Sequence, residues 1–215
     1  MEFVYQLVNF ILHIDQHLLQ IVNTYAGWTY FILFLVIFAE TGFVVTPFLP
    51  GDSVLFALGA IIARPESNLS LSLFLLVLIC AAIFGDFVNY EIGKYFGIRV
   101  FKSDSKIFKL AYLKKTQAFY AKYGTKTIVY ARFVPIVRTF SPFVAGIGKM
   151  PYTLFGKYNI LGGVLWVLIF VLTGYFFGQL PYFRRNFSFI ILAVIFISLI
   201  PMLIQFLAVK RSKKD

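Results

Sequence analysis

An apolar part of the chain is broken in two by the stretch Glu40-Thr41-Gly42-Phe43-Val44-Val45-Thr46-Pro47-Phe48-Leu49-Pro50-Gly51-Asp52. Residues 28–39 and 53–63, on either side of it, carry no charge. As helices they would each extend only about 16–18 Å at 1.5 Å per residue, whereas the hydrocarbon core of a bilayer is about 30 Å thick. Two short apolar arms around a turn shaped by Pro47, Pro50 and Gly51 predict a re-entrant hairpin over residues 28–63.

The composition indicates that this hairpin belongs to a membrane protein. Of the 215 residues, 60% are hydrophobic and 13% are charged, whereas soluble domains have roughly 45–50% apolar and about 25% charged residues. The net charge is +11, but all 20 Lys and Arg lie from Arg64 onward, many beside apolar segments. This distribution is typical of a topology signal. Disordered, collagen-like and nucleic-acid-binding proteins are excluded as classes. The single Cys80 allows neither an internal disulfide nor a cysteine-based metal site.

Three other segments are predicted to cross the bilayer, because each is long and apolar enough to span it. They are residues 69–97, 153–180 and 187–209. Residues 127–149 repeat the broken pattern of the first hairpin instead. Inside them lie two arginines, two prolines and a glycine, namely Arg132, Pro135, Arg138, Pro142 and Gly146.

Two basic segments set the direction in which the chain crosses. Residues 98–126, which form a basic amphipathic segment, and the tail 210–215 both have the positive charge of cytoplasmic loops. An even number of crossings must separate two segments on the same side. If residues 127–149 are re-entrant there are two crossings, and if they span the bilayer there are three. The charges therefore predict a second re-entrant hairpin, which enters from the inner face, whereas the first enters from the outer face.

The predicted fold is a single all-α integral membrane domain, built on an inverted repeat of a re-entrant hairpin and a spanning helix. Secondary transporters use this architecture. Both spans end in similar pieces, Gly93-Lys-Tyr-Phe-Gly97 and Gly174-Tyr-Phe-Phe-Gly178, which could equally be helix-packing motifs. An additional spanning helix lies at the C-terminus, and interfacial amphipathic helices complete the fold. Residues 1–27 predict such a helix in the outer interface or, alternatively, a crossing.

Four charged residues lie inside the two hairpins, namely Glu40, Asp52, Arg132 and Arg138. Each would cost about 2.5–3.5 kcal/mol at the centre of a lipid-exposed helix. Their charges sum to zero, so we expect them to pair with one another in a wet interior, either along a pathway or as a structural lock. Pro135 and Pro142 are expected to break the helix and let both arginines converge. Two guanidiniums suit a phosphate group, and a nearby carboxylate can bind protons.

Other residues are weaker candidates. Asp86, Asn89 and Tyr90 share one helix face, where they either line a pathway or hydrogen-bond between helices. His13 and His17 have the spacing of a zinc pair, but no further ligand is apparent, so no metal or cofactor is expected. No nucleophile motif or phosphate-binding loop appears, and an enzyme is the least favoured class.

Four motifs resemble the DedA family, also called the SNARE-associated Golgi-protein family. They are the stretch from Glu40 to Ser53, Gly85-Asp-Phe-Val-Asn-Tyr-x-x-Gly93, Ala131-Arg-Phe-Val-Pro-Ile-Val-Arg-Thr-Phe-x-Pro-x-x-Ala-Gly146 and Phe155-x-x-x-Asn159-x-x-Gly162-x-x-x-Trp166. The likeness covers nearly the whole chain. It implies a multi-pass protein of the bacterial inner membrane with two opposed hairpins. In the family, the acids matching Glu40 and Asp52 and the arginines matching Arg132 and Arg138 are functionally required.

The resemblance also implies a link to lipid transport. The favoured function is a proton-coupled transporter of a phosphate-bearing lipid, undecaprenyl phosphate before others. Arg132 and Arg138 would bind the phosphate, and Glu40 and Asp52 would carry protons. Alternatives are a phosphatidylethanolamine or general phospholipid scramblase, a proton-coupled cation or drug antiporter, and a scaffold that transports nothing. The expected partners are a lipid, protons and the membrane, without nucleic acid, and a homo-oligomer is left open.

Overall fold

The computed structural model describes residues 20, 23–43, 51–100, 110–187, 189–190 and 193–194, and this part of the chain is helical without any strand. Within these residues, eight α-helices with defined ends follow one another: α1 Ala26–Gly42, α2 Gly51–Ile62, α3 Leu71–Phe96, α4 Leu110–Tyr123, α5 Thr127–Ala131, α6 Pro135–Ile147, α7 Tyr152–Gly178 and α8 Pro181–Arg185. Short 3-10 turns follow α3 and α4. The all-α class predicted from the sequence is confirmed for these residues.

Helices α3 and α7 are long and apolar enough to cross a membrane. They have 26 and 27 residues and mean hydropathies of 2.6 and 2.3 in their most apolar windows. At 1.5 Å per residue each extends about 40 Å, more than the hydrocarbon thickness of about 30 Å. They coincide closely with the predicted spans 69–97 and 153–180. The segments 1–27, 187–209 and 210–215 lie wholly or largely outside the described residues, and their predicted roles stay predictions.

The hairpin segments contain shorter helices. The first arm, α1, has 17 residues and the second, α2, has 12. Pro47 and Pro50 lie outside the described residues, whereas Gly51 is the buried first residue of α2. The re-entrant path of this segment stays a prediction.

Pro135 shapes the second hairpin segment. It is the first residue of α6, and Val134 before it is extended, at φ −120° and ψ 107°. Proline favours the first helical position and forces its predecessor out of the helical region. The five-residue α5 therefore ends before Arg132, and the 13-residue α6 starts anew. Pro142 behaves differently from our expectation, because α6 continues through it to Ile147. Only one of the two prolines breaks the helix.

The described residues form two compact units, each with its own apolar clusters. One unit contains α2, the part of α7 from Leu168 onward and α8. Its cluster consists of Ala60, Ile61, Phe183 and Phe187. The other unit contains α1 from Tyr30, α3 from Leu75, α4 to α6 and α7 up to Val167. Its clusters consist of Leu113, Phe140, Phe143 and Val144, and of Tyr90, Ile128, Ala145 and Phe155.

In the first unit, glycines bring α2 against α7. A Cβ on Gly59 would collide with the backbone of Val171 and Tyr175. Three residues earlier in α2 the relation reverses, because a Cβ on Gly174 of α7 would collide with the backbone of Phe56. Small residues allow helices in a membrane to approach this closely.

In the second unit, α6 and α3 make a contact of the same spacing. A Cβ on Gly146 would collide with the backbone of Tyr90 and Lys94, and a Cβ on Gly93 would collide with that of Phe143. In both units the two contact positions on the shorter helix are three residues apart, Phe56 and Gly59 in α2 and Phe143 and Gly146 in α6. On the longer helix the glycine likewise lies three residues after the other contact position, Gly174 after Val171 in α7 and Gly93 after Tyr90 in α3. The second arm of each predicted hairpin thus meets the long helix of the other predicted repeat in one common register. This common register supports the inverted repeat, which stays a prediction.

We expect Gly59→Ala and Gly146→Ala to destabilise the protein by similar amounts, about 1–3 kcal/mol each, since overpacking of a tight contact has this cost. The measurement is thermal unfolding of the purified protein in detergent. Gly27→Ala is the matched control, because nothing lies within 4 Å of a Cβ at Gly27. The shared register would be contradicted if only one of the two tight glycines responded and the other behaved like the control.

The basic helix α4 packs against α6 in the second unit. Its exposed side carries Lys114, Lys115 and Lys122, while Leu113 is buried in the cluster with Phe140 and Phe143. The Tyr120 hydroxyl donates a hydrogen bond of 3.0 Å to the carbonyl of Ser141 in α6. Burial raises the pKa of the Tyr120 phenol above its ordinary value. The helix α6 is therefore anchored to α4 by an apolar contact and by the hydrogen bond of the Tyr120 hydroxyl.

We expect Tyr120→Phe to cost about 1 kcal/mol of stability at pH 7, the usual worth of such a hydrogen bond. The folded-state pKa of Tyr120 is raised, so its contribution is complete below the ordinary tyrosine pKa of about 10. That contribution is lost as the pH rises from there through the raised pKa. When thermal unfolding is measured from pH 7 to 11, the unfolding temperature should therefore fall less steeply above pH 10 in the variant than in the wild type. An equal loss in both would contradict this role.

Candidate functional site

Four charged side chains meet in the second unit, and they come from different helices. Glu40 lies near the end of α1, Asp86 within α3, Arg132 directly after α5, and Arg138 in the first turn of α6. Glu40, Asp86 and Arg132 are each only 5% exposed. All four line one cavity together with Thr41, Thr139 and Trp166. The cavity is small, ≈ 20 Å³, which is room for about one water molecule.

Arg132 is held between α3 and α7. Its Nη2 donates to the Asp86 carboxylate and, at 2.6 Å, to the side-chain oxygen of Asn159. The amide nitrogen of Asn159 in turn donates to the carbonyl of Ile83 at 3.0 Å. A buried ion pair requires further hydrogen bonds to offset the loss of hydration, and Asn159 supplies one while it is itself fixed.

Two glycines of α7 make room for the Arg132 side chain. A Cβ at Gly162 would lie 3.1 Å from Cδ and Nε of Arg132. A Cβ at Gly163 would lie 3.5 Å from Nη2 of Arg132 and 3.0 Å from the side chain of Ile83. Asn159, Gly162 and Gly163 share one helix face at spacings of three and four residues. We call these three residues the α7 cradle.

Arg138 has a different setting. Its Nη2 donates to the Glu40 carboxylate, and its guanidinium carbon lies 5.4 Å from the centre of the Trp166 ring. That distance is within the range of a cation–π interaction. The side chain of Arg138 is 17% exposed, whereas that of Arg132 is 6% exposed. In this second pair the Glu40 carboxylate is thus buried, whereas the Arg138 side chain is partly exposed.

Asn89 ties the helices of the site together. It is fully buried, and its amide nitrogen donates to the carbonyls of Thr41 and Thr139 at 3.0 and 2.9 Å. Of the two interpretations given to this residue, the interhelical hydrogen bond is the one that the geometry shows. Tyr90 packs beside it, with its ring 4.5 Å from that of Phe155 and its hydroxyl 2.5 Å from the carbonyl of Met150.

The pairing differs from the one expected from the sequence. We expected the arginines to pair with the hairpin acids Glu40 and Asp52, and Glu40 pairs with Arg138. Arg132 pairs with Asp86 of α3 instead, because Asp86 faces the short link after α5. Asp52 is the second residue of α2, which belongs to the other unit. Its predicted role in proton transfer stays a prediction.

Sequence reasoning overlooked the part of Trp166. In the sequence, Trp166 stands only as the last residue of a family motif, yet its ring faces Arg138 in the cavity. A usable signal was present, because Trp166 lies seven residues after Asn159 and seven residues return to the same face of a helix. Gly162 and Gly163 lie on that face as well. Among the described residues there is no cluster of ligands that could hold a metal ion.

Two comparisons give one consistent result. The family model for the VTT domain matches residues 49–176. The chain is 50% identical over 213 residues to "Protein DedA" of Escherichia coli K12, covering 99% of this chain and 97% of that protein. It is 40% identical over 184 residues to an uncharacterized membrane protein of Mycobacterium tuberculosis, covering 85% and 81%. It is 33% identical over 160 residues to "Inner membrane protein YqjA" of Escherichia coli, covering 74% and 72%. No solved structure matches the chain.

Proposed function

Since the chain belongs to the DedA family of VTT-domain membrane proteins, we propose that it transports a phosphate-bearing lipid across the bacterial inner membrane. One observation carries this proposal. Two arginine–carboxylate pairs, one buried and one partly exposed at its arginine, line a single cavity among apolar helices. Ionisable residues inside a membrane domain are costly, and they usually mark the path of a substrate or a proton.

The chemistry of the pairs favours a phosphate. A guanidinium presents parallel N–H donors that match both a carboxylate and a phosphate, so one anion can replace the other. Glu40 and Asp86 occupy the arginines in the present conformation. A lipid phosphate that enters the cavity would take the place of one carboxylate. The lipid chain would stay in the surrounding hydrocarbon, where it needs no polar partner.

Proton coupling follows from the same exchange. A carboxylate that loses its arginine inside a dry site is left as a buried, unpaired charge, which is strongly unfavourable unless it takes up a proton. Phosphate binding would therefore be accompanied by protonation of the displaced acid, and phosphate release by its deprotonation. Transport on this scheme responds to the proton gradient without any enzyme chemistry or cofactor.

Undecaprenyl phosphate is the substrate we favour, because its headgroup is a bare phosphate monoester that can face both donors of a guanidinium. Phosphatidylethanolamine or phospholipids in general are the alternatives of the same class. The protein in this proposal is multi-pass, with its C-terminus and basic residues 98–126 in the cytoplasm, as the positive-inside rule predicts.

The test uses purified protein in phospholipid vesicles, with labelled undecaprenyl phosphate and labelled phosphatidylethanolamine measured separately. We expect the first lipid to cross faster when a pH gradient is imposed. Movement of both lipids without any effect of the gradient would replace the proposal by a general scramblase. Movement of neither would overturn lipid transport.

A proton-coupled cation antiporter is the second candidate, and the buried acids Glu40 and Asp86 favour it. It requires the carboxylates but no bidentate arginine. Exchange of Arg138 for lysine separates the two functions, because lysine keeps the charge and loses the planar fork. An antiporter should tolerate this exchange, whereas phosphate binding should suffer.

A further inference from the structure

We propose that the two arginines have different tasks, an inference that rests on the proposed function and deepens it. Arg138 exchanges Glu40 for the lipid phosphate. Arg132 keeps Asp86 and Asn159 throughout and acts as a positioning residue that fixes α3 against α7. One arginine of the cavity therefore changes its anionic partner, and the other keeps its partners.

The surroundings of Arg132 favour permanence. Its Nη2 is shared between Asp86 and Asn159, and the Asn159 amide is fixed to the backbone of α3 at Ile83. The α7 cradle lies along its side chain at the distance of a tight contact. Release of this guanidinium would leave two acceptors on two helices without their donor, in a place where the side chain is 6% exposed. Such a loss is expensive for each buried group.

The surroundings of Arg138 favour exchange. The side chain is 17% exposed, about three times the exposure of Arg132. Its guanidinium faces the ring of Trp166, and a cation–π interaction makes no demand on the in-plane N–H donors. The ring can therefore hold the guanidinium while one anion leaves and another arrives. Trp166 gives Arg138 a support that does not compete with the phosphate.

Trp166 also supplies a reporter for this exchange. The chain has two tryptophans, and the other, Trp28, is 66% exposed at the start of α1. Trp28→Phe therefore leaves a single indole, positioned against the arginine in question. A change in the partner of Arg138 should alter the emission of Trp166 directly.

The experiment titrates Trp28→Phe protein in phosphatidylcholine nanodiscs with undecaprenyl phosphate, and with undecaprenol as the phosphate-free control. We expect a saturable change in emission with the phosphate and none with the alcohol. In this background Arg138→Lys should raise the half-saturating concentration at least tenfold. Arg132→Lys should change it less than threefold, but should lower the unfolding temperature more than Arg138→Lys does.

The inference is overturned if Arg132→Lys, while folded, weakens the response as much as Arg138→Lys. If Arg132→Lys does not fold, Gly162→Ala takes its place, since the added methyl group presses first on the Arg132 side chain, at 3.1 Å, and then on the Val129 backbone, at 3.3 Å. A tenfold loss of affinity in Gly162→Ala would overturn the inference, and a lower unfolding temperature with affinity retained would support it. Lipid transport without any response of Trp166 would overturn this inference and leave the proposed function intact. Absence of both transport and binding would overturn both.

Discussion

Replacement of Asp86 by alanine is expected to destabilise the protein by about 3–5 kcal/mol, because it leaves the Arg132 guanidinium buried without its counter-ion. Asn159 cannot compensate, since it is neutral and its side-chain oxygen already accepts a hydrogen bond from Arg132. Thermal unfolding of the purified protein in detergent measures the effect. This is the largest stability change that we expect of any single substitution in the second unit.

A control and a rescue make this prediction specific. Glu91→Ala removes an acid from the same helix, but its pair with Lys94 is 3.8 Å long and half exposed, so the cost should stay below about 1 kcal/mol. In the double variant Asp86→Leu/Arg132→Met no unpaired charge is left, and much of the lost stability should return. Equal costs for Asp86→Ala and Glu91→Ala would contradict the buried pair.

Replacement of Glu40 by glutamine is expected to remove the response of transport to a pH gradient. Glutamine keeps the size of the side chain and cannot take up the proton that accompanies exchange at Arg138. In vesicles, the imposed gradient should accelerate undecaprenyl phosphate in the wild type and leave Glu40→Gln at its rate without a gradient. Because a neutral amide competes weakly for the guanidinium, the variant should also bind the lipid at lower concentration.

The matched control for this prediction is Glu91→Gln, which neutralises an acid on the exposed face of α3. It should retain the acceleration of the wild type. A Glu40→Gln protein that still responds to the gradient would assign the proton to another acid, with Asp86 and Asp52 as the remaining candidates.

The sequence predicts the helices of this protein better than the partners of its charges. Hydropathy over more than 20 residues determines α3 and α7, because the bilayer thickness sets the length of a span. Pro135 marks the start of α6 through the local geometry of proline. Burial of the hairpin charges Glu40 and Arg132 could also be expected, since lipid would not tolerate them. These features depend on short stretches of chain, which a sequence displays directly.

The choice between Asp86 and Asp52 as the partner of Arg132 could not be made in the same way. It depends on how α3 and α6 are rotated and how deep they lie, and the spacing of residues within one helix does not contain that information. The close contacts at Gly59 and Gly146 fall in the same category, because a glycine does not reveal its partner. The spacing of Asn159, Gly162 and Trp166 does place them on one face of α7. Because the surrounding sequence is apolar, however, that face is interpreted more simply as a packing surface than as part of a site.

The central claim is that the arginine–carboxylate site moves a lipid phosphate, and the most direct test is transport of labelled undecaprenyl phosphate by Arg138→Gln protein in vesicles. Gly27→Ala protein, altered where a Cβ meets nothing within 4 Å, provides the control for reconstitution. We predict that the control moves the lipid like the wild type, and that Arg138→Gln moves it at least tenfold more slowly although it folds. Transport by Arg138→Gln at the rate of the control would contradict the account.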